Sequence, residues 1–243
     1  MKTKKYKLTK ETIIIADKTL HRIESLKDFS DVKKGDKGGF IENEHNLSQY
    51  GDCWVYDDAI ICDNALINGN AKVCGNTVIC GNAKVFGNAK VYDYAMVCDN
   101  AIVYDNARVY DNAIVHGNAE IYNNAVVCDN AKVYEYCWVF DDAKIYGNAT
   151  ARGNAEVYDN AKVYGDAVVC DNTEIFDNAI VYGDAKISGN AIVYGNAAVC
   201  SNAVVYGNTK IHGNVEVFGN AKVSGNAEVS GNMEVWGNEK VCN

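Results

Sequence analysis

Proline is absent from the 243 residues, and methionine (3), tryptophan (3) and histidine (4) are scarce. No stretch reaches the roughly 18 uninterrupted apolar residues that a membrane helix needs, so no membrane partner is expected. The lysine-rich start, Met1 to Lys10, lacks the apolar segment of a signal peptide, which points to the cytoplasm. Positive charge is also short, since 23 Lys and Arg face 32 Asp and Glu for a net charge of -9. That field repels phosphate backbones and argues against nucleic acid as a partner. Two things are plentiful. Hydrophobic residues make up 48%, too much for a disordered chain, and there are ten cysteines. A disulfide scaffold suits short secreted chains that cannot build a core; this chain is long enough for one large domain or two small ones.

A six-residue period dominates the rest. From Val55 to Val241 every sixth residue is Val or Ile except Ala151, so 31 of 32 positions agree with no insertion or deletion. Two residues earlier sits a small residue, Ala at 24 of the 31 sites from Ala59 to Glu239. Small-in, variable-out, branched-in, variable-out describes a four-residue strand with one buried face. The remaining two residues, Gly or Asp followed by Asn, must turn the chain, and Asn is expected to supply the left-handed backbone. Units this short cannot reverse direction and re-pair, so the chain must coil.

This pattern resembles the hexapeptide repeat of left-handed parallel β-helices, aliphatic at the first position and small at the fifth. The resemblance implies an all-β fold with three hexapeptides per triangular coil. At about 18 residues per coil and about 4.8 Å per stacked strand, residues 51–243 form 10 to 11 coils and a prism about 51 Å long. Residues 1–50 differ in kind, with 11 Lys and Arg against 8 Asp and Glu, where the repeat has 12 against 24. They read as a small N-terminal β cap, with short strands at Tyr6 to Leu8, Thr12 to Ala16 and Leu20 to Ile23 and a hairpin turn at Asp17-Lys18. The segment Leu26-Lys27-Asp28-Phe29 through Gly38-Gly39-Phe40-Ile41 to Gly51-Asp52-Cys53-Trp54-Val55-Tyr56 is similar to the start of the YdcK-like β-helix proteins. That resemblance implies a bacterial or phage-associated protein, nominally an acyltransferase.

Outward residues fall on three faces. The first carries a column running through Tyr92, Tyr110, Tyr146 and Tyr164, beside Lys72 and Arg108. It is the candidate platform for a small ligand or protein partner. The second carries Phe86, Tyr104, Tyr122, Phe140, Tyr158, Phe176 and Tyr194; in-register stacking of both columns reads first as a structural ladder, with the platform as the alternative. The third shows an apolar stripe, Ile60, Cys62, Val78, Cys80, Met96, Cys98, Ile114 and His116. An exposed stripe of this kind is expected to be covered, by the cap or by a second copy in a homo-oligomer, either a trimer or an end-to-end dimer through the last coil. Straight cysteine columns do not converge as tetrahedral metal ligands must, so neither a metal nor a cofactor is expected.

Acyltransferases that share the repeat carry, as the resemblance implies, a projecting loop and a general-base histidine. Here the repeat has no insertion, and its histidines, His116 and His212, stand in outward columns. Short aspartate columns such as Asp93-Asp111-Asp129 invite a DNA-mimic reading, yet duplex DNA would carry about 30 charges over the same length, against a net -12 for the repeat. The sequence therefore points to a non-catalytic scaffold or binding protein with no catalytic residue. The alternatives are a hexapeptide-class acyltransferase and a phage inhibitor that sequesters a host protein.

Overall fold

A computed structural model describes residues 4–243. The repeat winds into a left-handed parallel β-solenoid of about eleven turns. Each hexapeptide contributes one short strand, such as Ile60–Ile61 or Lys72–Val73, that pairs in parallel register with the strand 18 residues later. Three sheets result, and the two longest continue for eleven coils each. Every inward Val or Ile from Val55 to Val223 is fully buried, together with the small residue two places before it. Burying each branched side chain contributes about 1.5 to 3 kcal/mol, so the core is a stack of near-identical increments. Ala151, the one departure from the branched pattern, is also fully buried.

The absence of proline follows from the hydrogen bonding. Amides along the strands donate to the next coil, as Cys62 N does to Ile79 O at 3.0 Å, and so do amides within the turns, as Asn64 N does to Gly81 O at 2.8 Å. A proline at any such position deletes a bond from the ladder.

The turns differ from expectation. The left-handed residue is the first of each turn pair, for example Asp111 (φ 56°) or Gly117 (φ 71°), and the following Asn is not left-handed. Aspartate suits the first position because its carboxylate accepts an amide one coil on, as Asp129 does from Gly147 N at 2.8 Å. The aspartate columns are thus turn fittings. Asn serves as a ladder: its side-chain amide donates to the Asn one coil later, as in Asn64 to Asn82 and Asn82 to Asn100 at 3.1 and 2.9 Å. Tyr94 and Tyr136 interrupt this ladder without being left-handed themselves, since the left-handed residues there are Asp93 and Glu135.

The N-terminal segment forms β1 (Tyr6–Ile15) and β2 (Lys18–Ser25), joined by a turn at Ala16 and Asp17 that lies one residue before the expected pair, and then β3 (Lys37–Ile41). Strand β3 pairs in parallel with the first coil, Phe40 opposite Ile60 and Ile41 opposite Ile61. The cap therefore extends the third face end-on. Gly38 and Gly39 permit the seating, because a Cβ on Gly39 would lie 2.5 Å from the Ala59 carbonyl oxygen. Arg22 fastens it, donating to the Gly38 and Asp57 carbonyls at 2.9 and 3.0 Å and lying over the Phe40 ring. Beneath the cap, Trp54 is buried with Tyr6 and Phe29 set edge-on against it.

Candidate functional site

The first face is built by register. Strand pairing aligns Lys72, Lys90, Arg108, Val126, Lys144, Lys162 and Ile180 in one outward row. Two residues further along each strand runs the aromatic column. Tyr92 stacks on Tyr110 (centroids 4.8 Å apart, planes 3° from parallel), and Tyr146, Tyr164 and Tyr182 stack in turn at 4.7 and 5.1 Å. Between Tyr110 and Tyr146 the column holds Cys128, and in the same coil the basic row holds Val126. Both columns shrink at once, and the face dips.

A groove of about 570 Å³ runs there between the basic row and the corner, lined by Arg108, Val126, Lys144 and Lys162 together with Asn124, Asn160 and Asn178. Across the basic row, an adjoining hollow of about 340 Å³ shares the same four residues and adds Tyr110, Cys128 and Tyr146. Val126 and Cys128, 5% and 9% exposed, form the floor. Among the described residues Arg108, Lys144 and Lys162 make no ion pair. The one carboxylate lining the groove, Asp142, accepts a hydrogen bond from Asn124 at 3.1 Å. A row of unneutralised cations over an apolar floor attracts an anion and strengthens its hold where water is displaced. Its hydrogen bond to Cys128 and its partial burial push the Tyr110 phenol well above its ordinary range, and burial raises Tyr92 and Tyr146. The tyrosines therefore stay neutral beside the cations.

Of the residues expected on this platform, Arg108, Tyr110 and Tyr146 line the hollow, while Tyr92 and Tyr164 back it in the stack. Lys72 sits elsewhere. Its ammonium bonds to Asp31 of the cap at 2.8 Å, and with the Tyr56 hydroxyl on the same oxygen it holds Asp31 far below the usual carboxylate range. Lys144, Lys162, Val126 and Cys128 complete the site without having been nominated. The signal for them was present: in the coil of Val126 and Cys128 both outward columns turn small between cationic neighbours.

The third face carries its apolar stripe as expected, with Ile60, Cys62, Val78, Cys80, Cys98, Ile114 and His116 half-buried and Met96 exposed. The cap strands continue this sheet at its end. Its three thiols are coupled. Cys98 is lowered chiefly by the hydrogen bond from Cys80, and although Cys62 pulls Cys80 down, the Cys98 bond and burial leave Cys80 at about 11. His116 stacks on Tyr134 and faces Asp99 at 3.5 Å, so it is not aimed at Cys98. His212 stacks on Tyr194 with Nε2 3.0 Å from Glu228. Among the described residues one group of metal-type ligands occurs, Asp111, Cys128 and Asp129, with ligand atoms within 4.8 Å of one another. Its carboxylates already serve the turns, Asp111 accepting from Asp129 N at 3.2 Å and Asp129 from Gly147 N. No helix among the described residues is long and apolar enough to cross a membrane.

Fold and face together define a parallel β-solenoid of hexapeptide repeats with a basic, aromatic groove. Residues 101–117 and 185–201 match the family model described as the YdcK beta solenoid repeat, and the similarity to that family is carried by these two stretches. A curated relative, the "Uncharacterized acetyltransferase YdcK" of Escherichia coli (strain K12), is 47% identical over 38 residues, 16% of this chain and 12% of that protein. The match thus spans a small part of that relative's length. Among solved structures, LpxA, a UDP-N-acetylglucosamine acyltransferase from Bacteroides fragilis 9343, is similar at 17% identity with a TM-score of 0.33, covering 73% of this chain and 66% of that one.

Proposed function

We propose that the protein is a non-catalytic binding solenoid whose first face holds a small anionic ligand in the groove over Val126 and Cys128. The observation that carries this reading is the set of three unpaired cations, Arg108, Lys144 and Lys162, around one hollow of an otherwise acidic molecule. Nothing in the hollow fits general-base work. A base must reach the proton it removes, and His116 and His212 lie on the other two faces. The one thiol lining the hollow, Cys128, is raised by burial, the wrong direction for an activated sulfur.

A second reading, acyl transfer, draws on the relative's name and on the His212–Glu228 pair, an oriented imidazole and carboxylate. Equilibrium dialysis against sugar phosphates, paired with incubation in acetyl-CoA plus amine and hydroxyl acceptors and mass spectrometry of the products, separates the two. Retention of a phosphate ester without acetylated product supports binding. Acetylated product that disappears in His212→Ala establishes catalysis instead.

A further inference from the structure

The tyrosine column of the first face is interrupted by cysteine at three coils. Cys74 lies between Tyr56 and Tyr92, Cys128 between Tyr110 and Tyr146, and Cys200 between Tyr182 and Phe218. Each interruption removes one ring from a stack whose members repeat at 4.7 to 5.1 Å. The rings bordering a gap are two rungs apart, about 9.6 Å. A planar ring inserted midway sits about 4.8 Å from each neighbour, a normal separation for an aromatic pair and the one the ladder already uses. The spacing of the rungs therefore matches one aromatic ring, and the Tyr110 hydroxyl, which reaches across to Cys128, must swing clear for a ring to lie between Tyr110 and Tyr146.

The three gaps differ in charge. At Cys74 the flanking row is Trp54, Lys72 and Lys90; Lys72 is neutralised by Asp31, which lines that hollow together with Asp57 and leaves Lys90 as its one unpaired cation. At Cys200 the flanking row is Ile180, Ala198 and Glu216, with no cation. At Cys128 it is Arg108, Val126 and Lys144, with Lys162 one coil on, all unpaired. This row lies two residues from the aromatic column along each strand, about 6.6 Å away, a distance that a ribose bridges between a base and its phosphate. We propose that the Cys128 gap is a binding slot for a planar aromatic ring carrying a phosphate ester, as in a nucleoside monophosphate. The ring stacks between Tyr110 and Tyr146, and the phosphate is held by Arg108, Lys144 and Lys162. The proposal rests on the anion-binding reading of the groove and adds the aromatic requirement.

The test is calorimetric titration with three probes: adenosine 5′-monophosphate, ribose 5-phosphate and adenosine. The nucleotide is expected to bind at least about 10-fold more tightly than ribose 5-phosphate, within the range that base stacking contributes. It should likewise exceed adenosine, which lacks the anion. Cys128→Tyr fills the gap with the ring the ladder otherwise repeats, so it is compatible with the fold. It should abolish the nucleotide's advantage, so that nucleotide and ribose 5-phosphate bind that variant with the same affinity. Tyr146→Leu should reduce that advantage, and Cys200→Tyr should leave it intact. Equal affinity for nucleotide and sugar phosphate, or an advantage that survives Cys128→Tyr, overturns the slot but not the anion groove. Failure of both phosphates to bind overturns both.

Discussion

Three threonines, Thr77, Thr173 and Thr209, occupy the same inward position that alanine fills in most coils, and all are fully buried. Their hydroxyls fare differently. Thr77 and Thr173 donate to the carbonyls of Cys74 and Cys170, each at 2.6 Å, whereas the Thr209 hydroxyl has no partner among the described residues. A buried hydroxyl without a partner costs about 1 to 3 kcal/mol, and one that is satisfied contributes about 1 kcal/mol. Valine has the same shape with a methyl in place of the hydroxyl. Thr209→Val should therefore stabilise the solenoid by about 1 to 3 kcal/mol, while Thr77→Val should destabilise it by about 1 kcal/mol. Urea unfolding followed by circular dichroism measures both, with comparison restricted to curves of equal slope because a solenoid can unfold unit by unit. The reasoning is refuted if Thr209→Val lowers the midpoint as much as Thr77→Val does.

Other expectations are as direct. Gly39→Ala places a methyl 2.5 Å from the Ala59 carbonyl oxygen; it should unseat the cap, leave the first coil's edge unpaired and produce concentration-dependent aggregation by light scattering. Because Cys98 is lowered and Cys80 raised to about 11, iodoacetamide at pH 8 should alkylate Cys98 before Cys80, as read by peptide mass mapping, since the thiolate is the reactive form. The apolar stripe of the third face predicts self-association in sedimentation velocity that Met96→Glu weakens; a wild-type monomer at high concentration contradicts it.

Much of the fold was legible because the hexapeptide period and the alternation within it leave one topology. The column assignments followed from that, since a register of 18 residues fixes which side chains become neighbours. Turn conformation was less legible. Asn and Asp both tolerate the left-handed region, and only the structure shows that the first turn residue, mostly Asp or Gly, takes it while the second, mostly Asn, forms the amide ladder. Strand β3 was not among the expected strands because paired glycines weaken a strand signal, whereas their lack of side chains is what lets the strand lie against the first coil. The groove depends on a contrast between columns: Val126 and Cys128 look unremarkable in their own hexapeptide, and matter only because Arg108, Tyr110, Lys144 and Tyr146 stand one coil away on either side.

The central claim is that the first face binds an anion through Arg108, Lys144 and Lys162. Calorimetric titration of ribose 5-phosphate into the wild type and the triple variant Arg108→Gln, Lys144→Gln, Lys162→Gln, each at low and high salt, tests it most directly. Saturable binding by the wild type is expected to weaken with salt and to fall at least about 10-fold in the variant, a loss of about 1.4 kcal/mol or more. Binding that is equal in the two proteins, or absent from the wild type at low salt, contradicts it.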